Sequence, residues 1–255
     1  MTAGLQLIAV PGIPLVRAGD DLAGFIAQGL SAADLTLRDD DILVVAQKIV
    51  SKAEGRLVDL TTIVPSARAE ELARVVRKDP RLVEVVLSES RRVVRAVKDV
   101  LIVEHRLGFV MANAGVDQSN AADPHGPPLA LMLPKDPDAS AARMRDELHR
   151  RLGCRVGVVI NDSFGRPWRI GTVGVAIGCA GLPAVLDLRG DPDLFGRSLQ
   201  TSILGYADEI AAAASLLMGQ ADEARPVILV RGLKKDAPHQ SAQALLRPAG
   251  EDLFT

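Results

Sequence analysis

Short apolar runs that stop abruptly at clusters of amides, carboxylates and hydroxyls are what most constrain this chain. Val158-Val159-Ile160 gives way to Asn161-Asp162-Ser163, and Phe109-Val110-Met111-Ala112 gives way to Asn113-Ala114-Gly115-Val116-Asp117-Gln118-Ser119-Asn120. Such a run reads as a buried strand, and the polar cluster after it as the turn where the strand ends. Ile42-Leu43-Val44-Val45-Ala46, opened by the acidic turn Asp39-Asp40-Asp41, and residues 227–230, opened by the polar loop 219–226, extend the pattern. The sequence therefore calls for a sheet with oxygen-rich strand ends.

The remaining segments supply layers for that sheet. Residues 5–10 read as a strand, stopped by Pro11-Gly12-Ile13-Pro14, whose fixed backbone suits a loop lying against a ligand as well as a plain connection. Helices are expected at 21–30, 66–78 and 80–87, the last entered through Asp79-Pro80 as cap and first-turn proline. Residues 93–97 and 100–104 read as strands, and 121–137, with His125-Gly126-Pro127-Pro128, as a loop. Asp138 is expected to cap a helix bearing Ala141, Met144, Leu148 and Leu152 on one face and ending at Gly153. The glycines of 173–181 lack the dinucleotide-binding order and suit close packing of backbones. A long helix is expected over 199–218, where Ala207, Ala211, Ala212 and Ala214 suit close contact with another element, a second subunit among them. The tail from Lys234 reads as polar and poorly ordered.

Composition excludes several function classes. Aromatics are 3% of 255 residues, too few for base-stacking surfaces, and the formal charge of −2 leaves no footprint for nucleic acid or an anionic membrane. Cys154 and Cys179 fit neither a CxxC pair nor a structural zinc site. The N-terminus lacks a secretory pattern and no apolar run is long enough to span a bilayer, so a soluble, cytoplasmic protein is expected.

Hard cations such as Mg²⁺ take carboxylate and hydroxyl oxygens and share their shell with substrate phosphates. Asp162 and Ser163 fit that description, with Arg166 and Arg169 on either side of Trp168 close enough to meet anionic oxygens. Asp117 and Asn120 pair a carboxylate with an amide. Lys48, Lys52 and Arg56 recur every four residues and share a face if residues 47–56 are helical, which suits phosphate binding. Each feature has a plainer reading: an Asx-turn with surface arginines, ordinary turn residues, a solvated helix face. Asp208 and Glu209 are expected to be solvated or paired, with a metal role as the alternative, and His105 to be an ordinary polar residue.

Taken in order, Pro11-Gly12-Ile13-Pro14 and the segments 47–56, 113–120, 161–169 and 218–232 closely resemble the F420-0:gamma-glutamyl ligase family of coenzyme F420 biosynthesis. The resemblance runs from about Leu5 to Leu233. Asn161 and Ser163 stand where small hydroxyl residues or threonine are expected, and Gln220 where an acidic residue occurs; a serine hydroxyl still serves a metal. The resemblance implies a GTP-dependent ligase that joins L-glutamate to F420-0, first at the lactyl carboxylate and then through gamma-glutamyl links, by way of an acyl phosphate. It implies two divalent cations, Mg²⁺ or Mn²⁺, with K⁺ as a further candidate. Asp117 and Asp162, the candidate catalytic residues, would hold one cation, with Ser163 and Gln220 on the other. Ile13, Pro14, Leu15, Val16, Gln47, Lys52, Asn120 and the loop Met218, Gly219, Gln220, Ala221, Asp222, Glu223, Ala224, Arg225 would hold GTP. The implied fold is α+β, a two-part subunit with mixed sheets and packed helices in an intertwined homodimer. Residues 1–255 would form one ligase unit of two subdomains with a tail over 234–255, and no fused reductase domain is expected. A metal-dependent phosphohydrolase and a non-catalytic nucleotide sensor are the rival readings.

Overall fold

The computed structural model describes residues 4–121, 126–233 and 237–251. In chain order these form β1 (Gln6–Ala9), α1 (Leu22–Ala32), β2 (Ile42–Ala46), α2 (Gln47–Ala53), β3 (Leu57–Asp59), α3 (Ala67–Val76), α4 (Pro80–Ser88), β4 (Ser90–Val97), β5 (Val100–His105), β6 (Val110–Ala112), β7 (Leu129–Leu131), α5 (Pro137–Leu152), β8 (Gly157–Arg166), β9 (Arg169–Ala180), β10 (Leu186–Asp187), β11 (Ile203–Leu204), α6 (Tyr206–Met218) and β12 (Val227–Arg231). His125 and the rest of 122–125, the lysines at the start of the expected tail, and both chain ends lie outside the described residues.

The architecture is mixed α and β. Its centre is a five-stranded sheet of order β1-β12-β2-β8-β9, in which β2 and β8 are parallel and the other neighbours antiparallel. Alternate residues of the strands feed two cores. Leu43, Val45, Val158 and Ile160 pack with Ile26 of α1 and Met144 and Leu148 of α5. Ile42, Val44 and Val159 pack with Ala207, Ile210, Ala211 and Ala214 of α6. Covering on both faces is why these strands are unbroken apolar runs. A third core joins α3 and α4 to β5 through Leu72, Val76, Val83, Leu101 and Val103, beside the three-stranded sheet β4-β5-β6.

The structure corrects several expectations. Asn161, Asp162 and Ser163 are strand, not turn: β2 ends opposite Asn161, but β9 goes on pairing with Asp162, Ser163 and Phe164. Asp136, not Asp138, caps α5; Asp138 instead accepts the backbone N–H groups of Cys179 and Ala242 at 2.8 Å each. The helix expected over 199–218 begins only at Tyr206, because Ile203 and Leu204 pair with Asp187 and Leu186. Its Ala207, Ala211 and Ala214 are buried on the chain's own sheet and are not open to a partner. Residues 237–251 contain two short 3₁₀ turns, and buried Ala242 and the Gln240 side chain tie this stretch to the end of β9 and beyond. The glycines of β9 do serve close packing: a Cβ at Gly178 would collide with Pro137 at the start of α5.

His105 is fully buried rather than an ordinary polar residue. Its Nδ1 accepts the Leu107 N–H at 2.9 Å, so Nε2 carries the ring proton and faces Glu89 at 3.5 Å. Arg56 Nη2 and Arg106 Nε reach the same carboxylate at 2.8 and 3.0 Å, and Arg56 Nε also donates to the Leu133 carbonyl. This buried brace links the segment after α2 to the end of α4 and to the turn after β5. Burial pushes the Glu89 carboxyl up, but the His105 ring, Arg56 and Arg106 outweigh it and hold the group at about 2. With the folded value below the unfolded one of about 4.3, the brace stabilises the fold above that pH and is lost as pH falls through the folded value. Glu89→Gln is expected to cost about 3 kcal/mol near pH 7 and to flatten the loss of stability on acidification. Urea melts of both proteins at about pH 7 and pH 3 check this; an unchanged pH slope would remove Glu89 as its source.

Candidate functional site

Four chain segments meet at one end of the central sheet. β2 and β8 run parallel and leave it at the same end, giving Gln47 and Asp162. β12 is antiparallel to β2 with Val227 opposite Val45, so the loop before it, residues 219–226, enters at that end. β1 is antiparallel to β12, so residues 10–16 leave there too; the Val10 N–H donates to Val227 O and the Ala46 N–H to Pro226 O. Asp117 arrives from outside the sheet. It follows Asn113 and Ala114, both with left-handed φ near 50°, and its backbone exchanges two hydrogen bonds with Leu131.

Side-chain contacts join these segments. Lys48 Nζ donates to Asp117 Oδ2 and Ser119 Oγ, both at 2.6 Å, and to Ser119 O at 3.2 Å. The Ser119 N–H and hydroxyl also donate to Asp117. Because side chains alternate along β8, Asp162 faces Gln47, Lys48 and Asp117, whereas Ser163 faces the other way and its hydroxyl donates to Gln220 Oε1 at 2.9 Å. Asn120 Nδ2 reaches the Ala221 carbonyl at 3.4 Å. Within the 219–225 loop, Glu223 accepts the Ala221 N–H at 2.8 Å.

Burial and neighbouring charge push the two carboxyls apart. Burial raises Asp162 to about 6, with the Asp117 charge adding to the rise, against the Ser163 amide and Lys48. Burial also works against ionised Asp117, but the hydrogen bonds from Lys48 and Ser119 overcome it and hold Asp117 below the usual range. Lys52 is lowered by burial and then by the Lys48 charge. The site is thus a carboxylate and a reluctant carboxyl beside Lys48, with Lys52 near that lysine, and a cation brought to the pair would favour ionisation of both acids. A separate cavity of about 600 Å³ opens at the other end of the sheet, near Ile42, Gly157, Tyr206 and Arg145. Two of its arginines have local acidic partners, Arg145 with Asp146 at 2.8 Å and Arg155 with Asp39 at 4.0 Å. Ligands of open α/β sheets favour the carboxyl ends of parallel strands, where Asp162 and Gln47 stand.

Residues 12–232 match the sequence pattern of the family described as F420-0:Gamma-glutamyl ligase. The chain belongs to this family. It is 47% identical to the coenzyme F420:L-glutamate ligase of Methanothermobacter thermautotrophicus over 98% of this chain and 99% of that one. Identity to the protein of the same name is 45% in Methanopyrus kandleri, over 98% and 99% of the two chains, and 42% in Methanocaldococcus jannaschii, over 95% and 94%. The chain is therefore a ligase by family.

The structure brings together Asp117, Asp162 and Gln47 around Lys48, and separately Ser163 with Gln220 and Asn120 with Ala221; Lys52 lies near Lys48 and has no contact with either aspartate among the described residues. Ile13, Pro14, Leu15 and Val16 follow the exit of β1; Leu15 is exposed and Val16 buried. Met218 is also buried, under the loop it opens. Arg56 leaves the face shared by the two lysines, since α2 ends at Ala53, and Arg166 and Arg169 stand at the β8–β9 hairpin tip with no bond to either aspartate among the described residues. Asp208, at the start of α6, accepts the Ala176 N–H of β9 and has no bond to either aspartate among the described residues. The sequence reading offered Lys48 to phosphate and gave Ser119 no role; the structure makes both of them partners of Asp117. The lysine spacing marked Lys48, yet nothing in the sequence says that Asp117, 69 positions away, is its partner. Lys48→Met is expected to raise the titration of both Asp117 and Asp162, because a cation lowering each is lost. Carbon-13 NMR of the aspartate carboxyls checks this, and an Asp117 that titrates as before would mean that Lys48 is not its controlling charge.

Proposed function

We propose that the chain is a GTP-dependent ligase that joins L-glutamate to F420-0, at the lactyl carboxylate and then through gamma-glutamyl links. The family and its relatives' names support glutamate ligation. The observation that carries the rest is the meeting of two carboxyls, Lys48 and the 219–225 loop at one sheet end. A carboxylate does not react with an amine until it is activated. In this reading a substrate carboxylate oxygen attacks the γ-phosphorus of GTP, GDP leaves, and the glutamate amine displaces phosphate from the acyl phosphate as it loses a proton. No protein nucleophile is needed, and this chain's residues position charge.

The donors fit hard divalent cations. Asp117 and Asp162 offer carboxylate oxygens, Ser163 and Gln220 a hydroxyl and an amide oxygen, and burial disfavours the Asp162 charge without a cation. Among the described residues no three His, Cys, Asp or Glu side chains gather to hold a metal, so the shell would be completed by water and phosphate oxygens, as suits Mg²⁺ or Mn²⁺. Such ions supply charge neutralisation on the phosphates. Lys48 and Lys52 orient anionic oxygens, Gln47 holds Asp162, and residues 13–16, Asn120 and 218–225 line the nucleotide. We also propose a homodimer, supported by Trp168 and Ile170 on the β8–β9 hairpin and Leu194 and Phe195 between β10 and β11, all of them exposed. Among the described residues no helix is long and apolar enough to cross a membrane.

Mass spectrometry of F420-0 incubated with the protein, GTP, L-glutamate and Mg²⁺ or Mn²⁺ tests the reading. Asp117→Asn and Asp162→Asn are each expected to abolish glutamate addition with the melting temperature kept, since the amide fills the same space. Near-normal ligation by either variant would take that residue out of the metal site. GTP hydrolysis with no glutamylated product would favour the phosphohydrolase reading. Lys52→Ala is expected to weaken GTP binding roughly tenfold or more, through a charge-assisted contact of about 1.5–3 kcal/mol. Calorimetry with unchanged affinity would end that role.

A further inference from the structure

Asn161 has no task in the ligase reading, yet it is an expensive residue to keep where it stands. It is 5% exposed, and its Oδ1 is buried with no hydrogen-bond partner among the described residues. That oxygen faces Gly174, where an added Cβ would lie 2.7 Å from it and would also collide with Ser215 Oγ and the Ala211 carbonyl. A buried acceptor against a glycine is unfavourable, and a leucine would fill a similar space without it. What the amide gains is its other end. Nδ2 donates to Ser215 Oγ at 3.0 Å and to Met218 Sδ at 3.4 Å, both in the last turn of α6. The chain leaves that helix at Gly219, with φ of 75°, and two residues after Met218 the Gln220 amide oxygen meets Ser163, which shares a strand face with Asn161.

We infer that Asn161 is a positioning residue that ties the last turn of α6 to β8 and so holds the 219–225 loop in register with Ser163. Gly174 permits the tie by letting α6 approach β9. The orphaned oxygen is the cost of carrying a donor to that one place. The consequence for ligation rests on the proposed function, because 218–225 is the nucleotide loop of that reading; the tie itself does not.

The test compares Asn161→Leu, Ser215→Ala and the double variant as full chains. Hydrogen–deuterium exchange of residues 219–225, measured on protein alone, is expected to quicken about 2- to 10-fold in each single variant, the range of one neutral hydrogen bond. The double variant should show no more than either single one, since the two side chains act as a unit. The melting temperature of Asn161→Leu should equal or exceed that of the wild type, because the orphaned acceptor is gone. In ligation, KM for GTP should rise over the same range with kcat within about twofold. A lower melting temperature with unchanged loop exchange would make Asn161 merely structural and overturn the proposal, as would additive effects in the double variant. Should Asn161→Leu fail to fold, Ser215→Ala carries the test, and unchanged exchange there overturns it equally. Failure of the ligase reading is distinguishable: it appears as no GTP-dependent product from the wild type, with the exchange result untouched.

Discussion

The parallel pairing of β2 with β8 is the constraint on which the rest depends. Parallel neighbours finish at the same end of a sheet, so Gln47 and Asp162 emerge together once Val45 stands opposite Ile160. The antiparallel strands then decide which loops join them: β12 brings its entry and β1 its exit to that end. A one-residue slip of β8 would turn Asp162 toward α6 and Ser163 toward Lys48, exchanging the two halves of the site. The register is secured by the two apolar cores, which take alternate residues of the same strands.

Burial then sets the electrostatic character of the site. A carboxyl withdrawn from water resists ionisation, which explains why Asp162 sits at about 6 while Asp117, bonded to Lys48 and Ser119, stays below the usual range. Two acids this close together, one satisfied and one not, are poised for additional positive charge. Lys48 supplies part of it from inside the chain. The 219–225 loop adds neutral oxygens, brought in by contacts of Ser163 and Asn120 with Gln220 and Ala221.

Most of the elements were legible because their signals are local. The apolar runs at 42–46 and 227–230, the cap and proline at Asp79-Pro80, and the glycines that let helices approach β9 each act over a few residues. The misreadings share a cause, competition from residues far along the chain. Asn161-Asp162-Ser163 has turn composition, yet β9 supplies backbone partners that keep it extended. Residues 199–205 fail as helix because β10 claims Ile203 and Leu204. The α6 alanines suited close packing, and the surface they meet belongs to their own chain. His105, which looked ordinary, lies against Glu89 in a brace whose other members come from distant segments.

By itself the sequence determined the buried strands and helices that build the layered sheet and, through five ordered motifs, the family. These are matters of residue type and spacing, which local chemistry and pattern are enough to express. Only the tertiary structure decided that Lys48 is the partner of Asp117, that Asp162 and Ser163 look to opposite sides of one strand, and that Asn161 reaches the end of α6. Those facts depend on strand order, register and helix approach. They are fixed by which apolar faces bury one another across the whole chain, and a polar side chain's own neighbourhood in sequence carries no record of that.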